Sequence, residues 1–378
     1  MSPIRLRSTR LAGALLVALT LPIFAQSPPA GPAAPATPAA DPAIAKDDPA
    51  VLPAEIEPRA SRSLLLDIVQ TTSGLFAVGE RGNALTSSDG KTWTQLNLPT
   101  RSALTAIATA DGELWAAGHD GVIVHSSDGG QTWNRQRVAP WSADSKEVTN
   151  GAPILDLLFT SAKDGYAVGA YSLMLVTHDA GATWTPKKVA FAAAPAAKAG
   201  APKGDDWTMS SDQLALGDEA DPHFNAIART ASGAMVIVGE RGTFLRSTDA
   251  GETWAKAKFP YQGSMFGVLS WPDGGDHILA FGLRGNVYES NDLGNTWSKV
   301  ETGGKTSLLG GQALANGGAI LVGANGTVLT RKDGSSPFVA STFSNQAGDI
   351  PVLSGVQATG SGQYVLIGDK GADLYLPK

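Results

Sequence analysis

Ala77-Val-Gly-Glu-Arg-Gly82, followed by Ala84-Leu-Thr-Ser-Ser-Asp-Gly-Lys-Thr-Trp93, is the stretch on which the fold turns. An apolar run ends in glycine, two variable residues and a second glycine follow, and a new apolar segment leads to a polar turn and a tryptophan. Two short apolar runs separated in this way read as a β-hairpin. The first half of the pattern recurs at Ala116-Ala-Gly-His-Asp-Gly, Ala167-Val-Gly-Ala-Tyr-Ser, Ile237-Val-Gly-Glu-Arg-Gly, Ala280-Phe-Gly-Leu-Arg-Gly, Leu321-Val-Gly-Ala-Asn-Gly and Leu366-Ile-Gly-Asp-Lys-Gly. The first glycines, at 79, 118, 169, 239, 282, 323 and 368, lie 39, 51, 70, 43, 41 and 45 residues apart. A period near 40–45 residues is that of a four-stranded propeller blade. Each repeat then supplies an inner strand (such as Leu64–Val69), two central strands and an outer strand. The sequence predicts an all-β, seven-bladed β-propeller.

The second half recurs as Ser126-Ser-Asp-Gly-Gly-Gln-Thr-Trp, Thr177-His-Asp-Ala-Gly-Ala-Thr-Trp, Ser247-Thr-Asp-Ala-Gly-Glu-Thr-Trp and Ser290-Asn-Asp-Leu-Gly-Asn-Thr-Trp, with a decayed copy at Arg331-Lys-Asp-Gly-Ser-Ser-Pro-Phe. These resemble the Asp-box, or BNR repeat, S-x-D-x-G-x-T-W. The chemistry is structural: Asp89, Asp128, Asp179, Asp249 and Asp292 accept backbone N–H groups in a tight turn, and glycine supplies a positive φ. Trp93, Trp133, Trp184, Trp254 and Trp297 start the outer strands and bury their rings between sheets. A calcium loop gathers more oxygen ligands than one aspartate per turn, so no metal or cofactor is expected.

The last repeat stops at Leu374-Tyr-Leu-Pro-Lys, without a box. An open strand edge needs cover, and Val51–Arg59 is expected to close the ring as an N-terminal strand paired with the final blade. Ahead of it, Arg5, Arg7 and Arg10 precede an apolar run from Leu11 to Ile23, which reads as a secretory signal over residues 1–25. Residues 26–50, rich in Pro and Ala, read as a disordered linker, and 51–378 as the propeller. The expected mature protein is periplasmic, or lumenal in a photosynthetic host, monomeric and without a membrane span. It carries 26 Lys and Arg against 35 Asp and Glu, a net charge of −9, which argues against nucleic acid as a partner. With no cysteine among 378 residues, disulfides, zinc-thiolate sites and cysteine nucleophiles are excluded.

The box turns and the hairpin turns belong to opposite faces. The hairpin face also carries the links between blades, and two of these are long, containing Ala139–Pro153 and Val189–Pro222. Within the second, Ala192–Lys203 reads as disordered, and Leu214–Phe224 as a segment able to cross the central opening. The second residue after each hairpin glycine is Arg81, Asp120, Tyr171, Arg241, Arg284, Asn325 or Lys370. Four of these seven equivalent positions are cationic, an arc suited to carboxylates or phosphates; solvated turn residues are the alternative. Asp67 and Asp156 stand on inner strands where other repeats have Ala106, Ala226 or Gly267, and are expected to face the axis and pair with the arginines, an acid–base role being the alternative. His223 is the histidine placed to take part.

The export signal, the Pro/Ala spacer and the two interleaved motifs together resemble the photosystem II stability/assembly factor family, whose members are Asp-box propellers of the WD40/YVTN-like kind. The resemblance covers about residues 51–378. It implies a non-catalytic scaffold that binds a membrane-protein precursor through an arginine patch, with Arg81, Arg241 and Arg284 as matching positions. In bacteria that do not photosynthesise it implies instead an envelope complex such as a resistance-nodulation-division exporter, and the alanine-rich leader looks proteobacterial. The competing class is an Asp-box glycoside hydrolase. A sialidase needs an arginine triad and an Arg-Ile-Pro-like opening, which the mature chain lacks. An endoglucanase needs two carboxylates about 5–10 Å apart, for which Asp67 and Asp156 are the candidates.

Overall fold

A computed structural model describes residues 44–378 except 144, 146, 190–220, 273, 361 and 378. The expected signal and most of the expected spacer therefore lie outside the described residues, as do 192–203 and 214–220. Seven antiparallel sheets follow one another around an axis. In blade 1, β1 (Leu65–Thr71) is innermost, followed outward by β2 (Gly74–Gly79), β3 (Ala84–Ser87) and β4 (Thr94–Gln95). The other inner strands are Leu104–Ala110, Ile154–Phe159, Phe224–Arg229, Met265–Ser270, Leu308–Ala313 and Leu353–Ala358, each packed on the next and the last on β1. The seven-bladed expectation holds. Central strands are buried along their whole length, as in Gly165–Gly169 and Ile278–Gly282, because both faces of each blade are covered by neighbours.

The first hairpin glycine is required by space, not by torsion. At Gly79 the backbone is extended (φ −169°), but a Cβ there would lie 2.0 Å from the Leu64 carbonyl oxygen of the chain entering β1. The same encounter recurs at Gly118, Gly169, Gly239, Gly323 and Gly368. The motif therefore records the crossing of two backbones in every blade.

The box turns form as the residues predicted. In blade 2 the Ser126 hydroxyl donates to Asp128 and accepts the Gly130 N–H (both 2.8 Å), while Asp128 accepts the Thr132 N–H (2.9 Å) and hydroxyl (2.6 Å). These bonds, led by that from the Thr132 hydroxyl, hold the Asp128 carboxyl down at about 2. Asp249, Asp292 and Asp333 are likewise lowered to about 2, and Asp89 and Asp179 in the same direction. In the decayed sixth copy Asp333 still takes the Ser335 and Ser336 N–H groups, and Phe338 is buried where the others have tryptophan.

Each box also seats its blade on the preceding one. Trp133 packs into the apolar layer shared by blades 1 and 2, Trp184 into that of 2 and 3, Trp254 into 3 and 4, Trp297 into 4 and 5, and Trp93 into 7 and 1. The box glycine lies against the same neighbour, with Gly130 facing the Phe76 ring and Gly90 facing Val365 and Leu374.

Closure differs from the expectation. Blade 7 has three strands, Leu353–Ala358, Tyr364–Gly368 and Gly371–Tyr375, and residues 51–59 form no strand with it. That segment instead lies along the outer side of blade 1: Ala54 N–H donates to Leu98, Gln95 bonds to Glu55 and Glu57, and Arg101 pairs with Glu55 at 2.6 Å. What meets the last strand is the 3-10 turn Ala60–Arg62, with Arg62 3.5 Å from Asp373. The prolines at 49, 53 and 58 lack ladder donors, which suits a strap better than a strand. The end of the expected spacer is part of this strap, since Arg101 N–H donates to Pro49 and Ala50 is fully buried.

Two adjacent glycines provide a test. Gly129 (φ +70°) has nothing within 4 Å of a built Cβ, whereas at Gly130 (φ +90°) a Cβ would lie 2.4 Å from the Phe76 ring. In denaturant unfolding, Gly129→Ala is expected to cost about 1–2 kcal/mol for the left-handed backbone, and Gly130→Ala about 3 kcal/mol or more because the interface must also open.

Candidate functional site

Six of the seven hairpin turns close with the N–H of the fourth residue on the carbonyl of the first, as Asn83 does on Glu80 (2.9 Å) and Thr243 on Glu240 (2.9 Å). Their second residues are left-handed: Arg81 (φ 54°), Asp120 (57°), Tyr171 (56°), Arg241 (51°), Arg284 (57°) and Asn325 (54°). Such primed turns favour Asn, Asp or Gly at this position, because other side chains crowd the following carbonyl at a cost of roughly 1–2 kcal/mol. Asp120 and Asn325 obey that preference; three arginines and a tyrosine do not. The seventh turn departs from the equivalence expected of it, being shorter, and Lys370 is not left-handed.

Arg81, Arg241, Arg284 and Lys370 are all exposed. The acid preceding three of them bonds to a backbone amide. Glu80 accepts the Leu64 N–H (3.2 Å), Glu240 the His223 N–H (3.2 Å) and Asp369 the Val352 N–H (2.9 Å), each at the entrance to an inner strand. These carboxylates serve backbone amides, while the cation beside each is exposed. Around the ring the cations fall on blades 4, 5, 7 and 1, with Asn325 on blade 6, so the arc is a horseshoe that opens at blades 2 and 3. In the opening stand Asp120, whose carboxylate accepts the Ser102 hydroxyl (2.6 Å), and Tyr171, which meets the His223 ring edge-on at 5.1 Å. His223 Nδ1 lies 3.9 Å from Glu240, so it belongs to a turn cluster on this face.

A family model described as the DUF6242 beta propeller domain matches residues 58–264, more than half of the chain. The chain belongs to that family. Among solved structures the DUF6242 propeller is similar to YCF48 bound to D1 peptide, at 16% identity over 84% of this chain and 93% of that one, with a TM-score of 0.59. It is similar to YCF48 from Cyanidioschyzon merolae, at 16% identity over 84% and 96% of the two chains, TM-score 0.59. It also resembles the Niastella koreensis GH74 enzyme, at 14% identity over 83% of this chain and 43% of that one, TM-score 0.57. At these identities the likeness is one of fold. No curated protein sequence matches the chain.

The axis of the DUF6242 propeller overturns one expectation. Asp67 and Asp156 do line a central cavity of about 240 Å³, with Thr105, Asn225, Gly267 and Gly310, but they do not pair with the arginines. Asp67 accepts the N–H of Ile68 in its own strand and of Ile107 in blade 2; Asp156 accepts those of Leu157 and of Ile227 in blade 4 (all 2.8 Å). All seven inner strands shift register at this level, as between Leu65 and Asp67 or Leu308 and Gly310. The bulge leaves inner-edge amides facing the axis, and the two carboxylates satisfy four of them. No sequence signal distinguished a carboxylate aimed at amides from one aimed at guanidinium.

Burial pushes Asp67 up to about 6, offset in part by the bonds from Ile107 and Ile68, and Asp156 up to about 7, where the charge of Asp67 adds to burial. An unfolded aspartate ionises near 3.8. Between that value and about 6–7 the folded ring holds protons that the unfolded chain has released, so stability falls as pH rises through this window. The melting temperature is therefore expected to be higher at pH 5 than at pH 8, and the Asp67→Asn/Asp156→Asn double variant to flatten the difference. A double variant with the same pH dependence as the parent would exclude the two carboxyls as its source.

Proposed function

We propose that this DUF6242 propeller is an exported, non-catalytic scaffold whose link face binds an acidic segment of a membrane protein or envelope complex. The observation that carries the reading is the placement of Arg81, Arg241 and Arg284 at left-handed turn positions. Equivalent turns show that Asp and Asn meet the local requirement, so arginine is retained against a local cost. Local strain of this kind points from structure to function. The bonds of Glu80, Glu240 and Asp369 to backbone amides support the reading, because they occupy acids that stand beside exposed cations on an otherwise acidic protein, where such cations favour acidic partners. The similarity to YCF48, which has been captured with a D1 peptide, is consistent with peptide capture on this fold. No hydrolytic role is proposed for Asp67 and Asp156, since each is committed to two backbone amides. Export rests on the leader pattern of residues 1–25.

The test is capture from detergent-solubilised membranes of the source organism. Immobilised wild-type ring is expected to retain a membrane protein that the Arg81→Glu/Arg241→Glu/Arg284→Glu variant loses by at least tenfold, with the melting temperature of the variant unchanged within a few degrees. Retention that survives all three reversals refutes the cationic face as the binding surface.

A further inference from the structure

The opening of the cationic horseshoe is not bare. The link from blade 2 to blade 3 is closed at its neck by Ala139 N–H on Asp120 and Gly151 N–H on Ala139 (both 2.8 Å), and Ser142 bonds to Ser145 within it. Gly151 (φ +76°) sits so close beneath Trp141 that a Cβ would fall within 2.9 Å of its backbone. This support holds Trp141 outward with 70% of its surface exposed, and Val148 in the same loop is 72% exposed. Every other described tryptophan is packed in or against a core layer. Single exposed apolar residues are ordinary, whereas grouped ones mark contact surfaces. Of the large apolar side chains that are exposed among the described residues, Trp141, Val148, Tyr171, Ile350 and Val352 lie on the link face, Ile56 lies in the strap along blade 1, and Val339 and Leu376 lie elsewhere.

Resting on the binding role above, we propose that this loop is the apolar half of a bipartite docking surface. Trp141 and Val148 receive a large apolar side chain of the same partner segment whose acidic groups meet Arg241, Arg284, Lys370 and Arg81. Charge complementarity commits the occupant to an acidic polypeptide. An anionic bilayer would meet the same arginines, but the protein's excess of acids over bases repels such a surface beyond the first contacts. Tryptophan and arginine are the residues that most often dominate protein contacts, and they do so where water is excluded around them. A segment lying across the face from blades 4 and 5 to blades 2 and 3 would use both at once.

The experiment uses an array of 15-residue peptides tiling the membrane and exported proteins of the source organism, probed with the whole chain. The best binders are resynthesised for affinity measurements, and anionic phospholipid vesicles are tested in parallel. Bound peptides are expected to combine several Asp or Glu with at least one aromatic or large aliphatic residue, and both Trp141→Ser/Val148→Ser and Arg81→Glu/Arg284→Glu to weaken them about tenfold or more. If the serine variant binds as wild type while the arginine variant fails, the apolar half is overturned and the binding role stands. If neither variant changes binding, or no acidic apolar peptide is retained, both are overturned. Vesicle binding that exceeds peptide binding and is lost in the serine variant replaces the polypeptide with a membrane and overturns the inference.

Discussion

Seven sheets stay in one ring only if each blade is fastened to the next, and the fastening is made twice at most interfaces. Away from the axis, an aromatic ring from each box turn enters the layer shared with the preceding blade. Near the axis, a polar side chain crosses to the neighbouring inner strand. Asp67 reaches Ile107, Thr105 reaches the Ile154 carbonyl, Asp156 reaches Ile227, Asn225 reaches the Met265 carbonyl (2.9 Å), Gln312 accepts the Ala358 N–H (2.6 Å), and Ser354 reaches the Leu65 carbonyl (2.7 Å). Between blades 5 and 6 the crossing is made farther out. There Arg331, 2% exposed, forks onto Glu289 at 2.8 and 3.0 Å and lies over Trp271 and Phe338. Burial opposes ionisation of Glu289, but the bonds from His277 and Arg331 prevail and hold it at about 2.

This fastening explains the division of labour between the two faces. The box turns spend their hydroxyls, carboxylates and rings on their own geometry and on the neighbouring blade, and their aspartates are saturated by donors. The link face carries the hairpin turns, where only the backbone torsion is prescribed and the side chain projects outward. Turning Glu80, Glu240 and Asp369 toward the inner-strand entrances ties those turns down and leaves the adjacent cations outward. A structural bond and an exposed charge thus fall on neighbouring residues of the same turn.

Much of the fold was legible in the residues, because its causes are local and repeated seven times. A glycine at every crossing of two backbones, a primed turn beside it, and a serine–aspartate–glycine turn before an aromatic each leave a fixed pattern. The decayed sixth copy was recognisable for the same reason, since Asp333 and Phe338 retain both halves of the function. The candidate face was legible in part. Equivalent repeat positions placed Arg81, Arg241 and Arg284 together, but the departure of the seventh turn and the exposure of Trp141 were not foreseen. Trp141 has no repeat partner from which its surroundings could be inferred.

By itself the sequence determined the number of blades, the strand order within each, the turn chemistry and the separation of two faces, since these follow from torsional and steric demands within about 45 residues. Only the tertiary structure decided how the ring closes, where the buried carboxylates point and which apolar side chains remain in solvent. Those outcomes depend on contacts between blades far apart in sequence. Asp67 finds its partner amide forty residues away, and Ser354 meets Leu65 across the closure, 289 residues back along the chain. A carboxylate carries no mark of whether its partner will be a guanidinium or an amide; the bulges of the packed inner strands supplied the amides first.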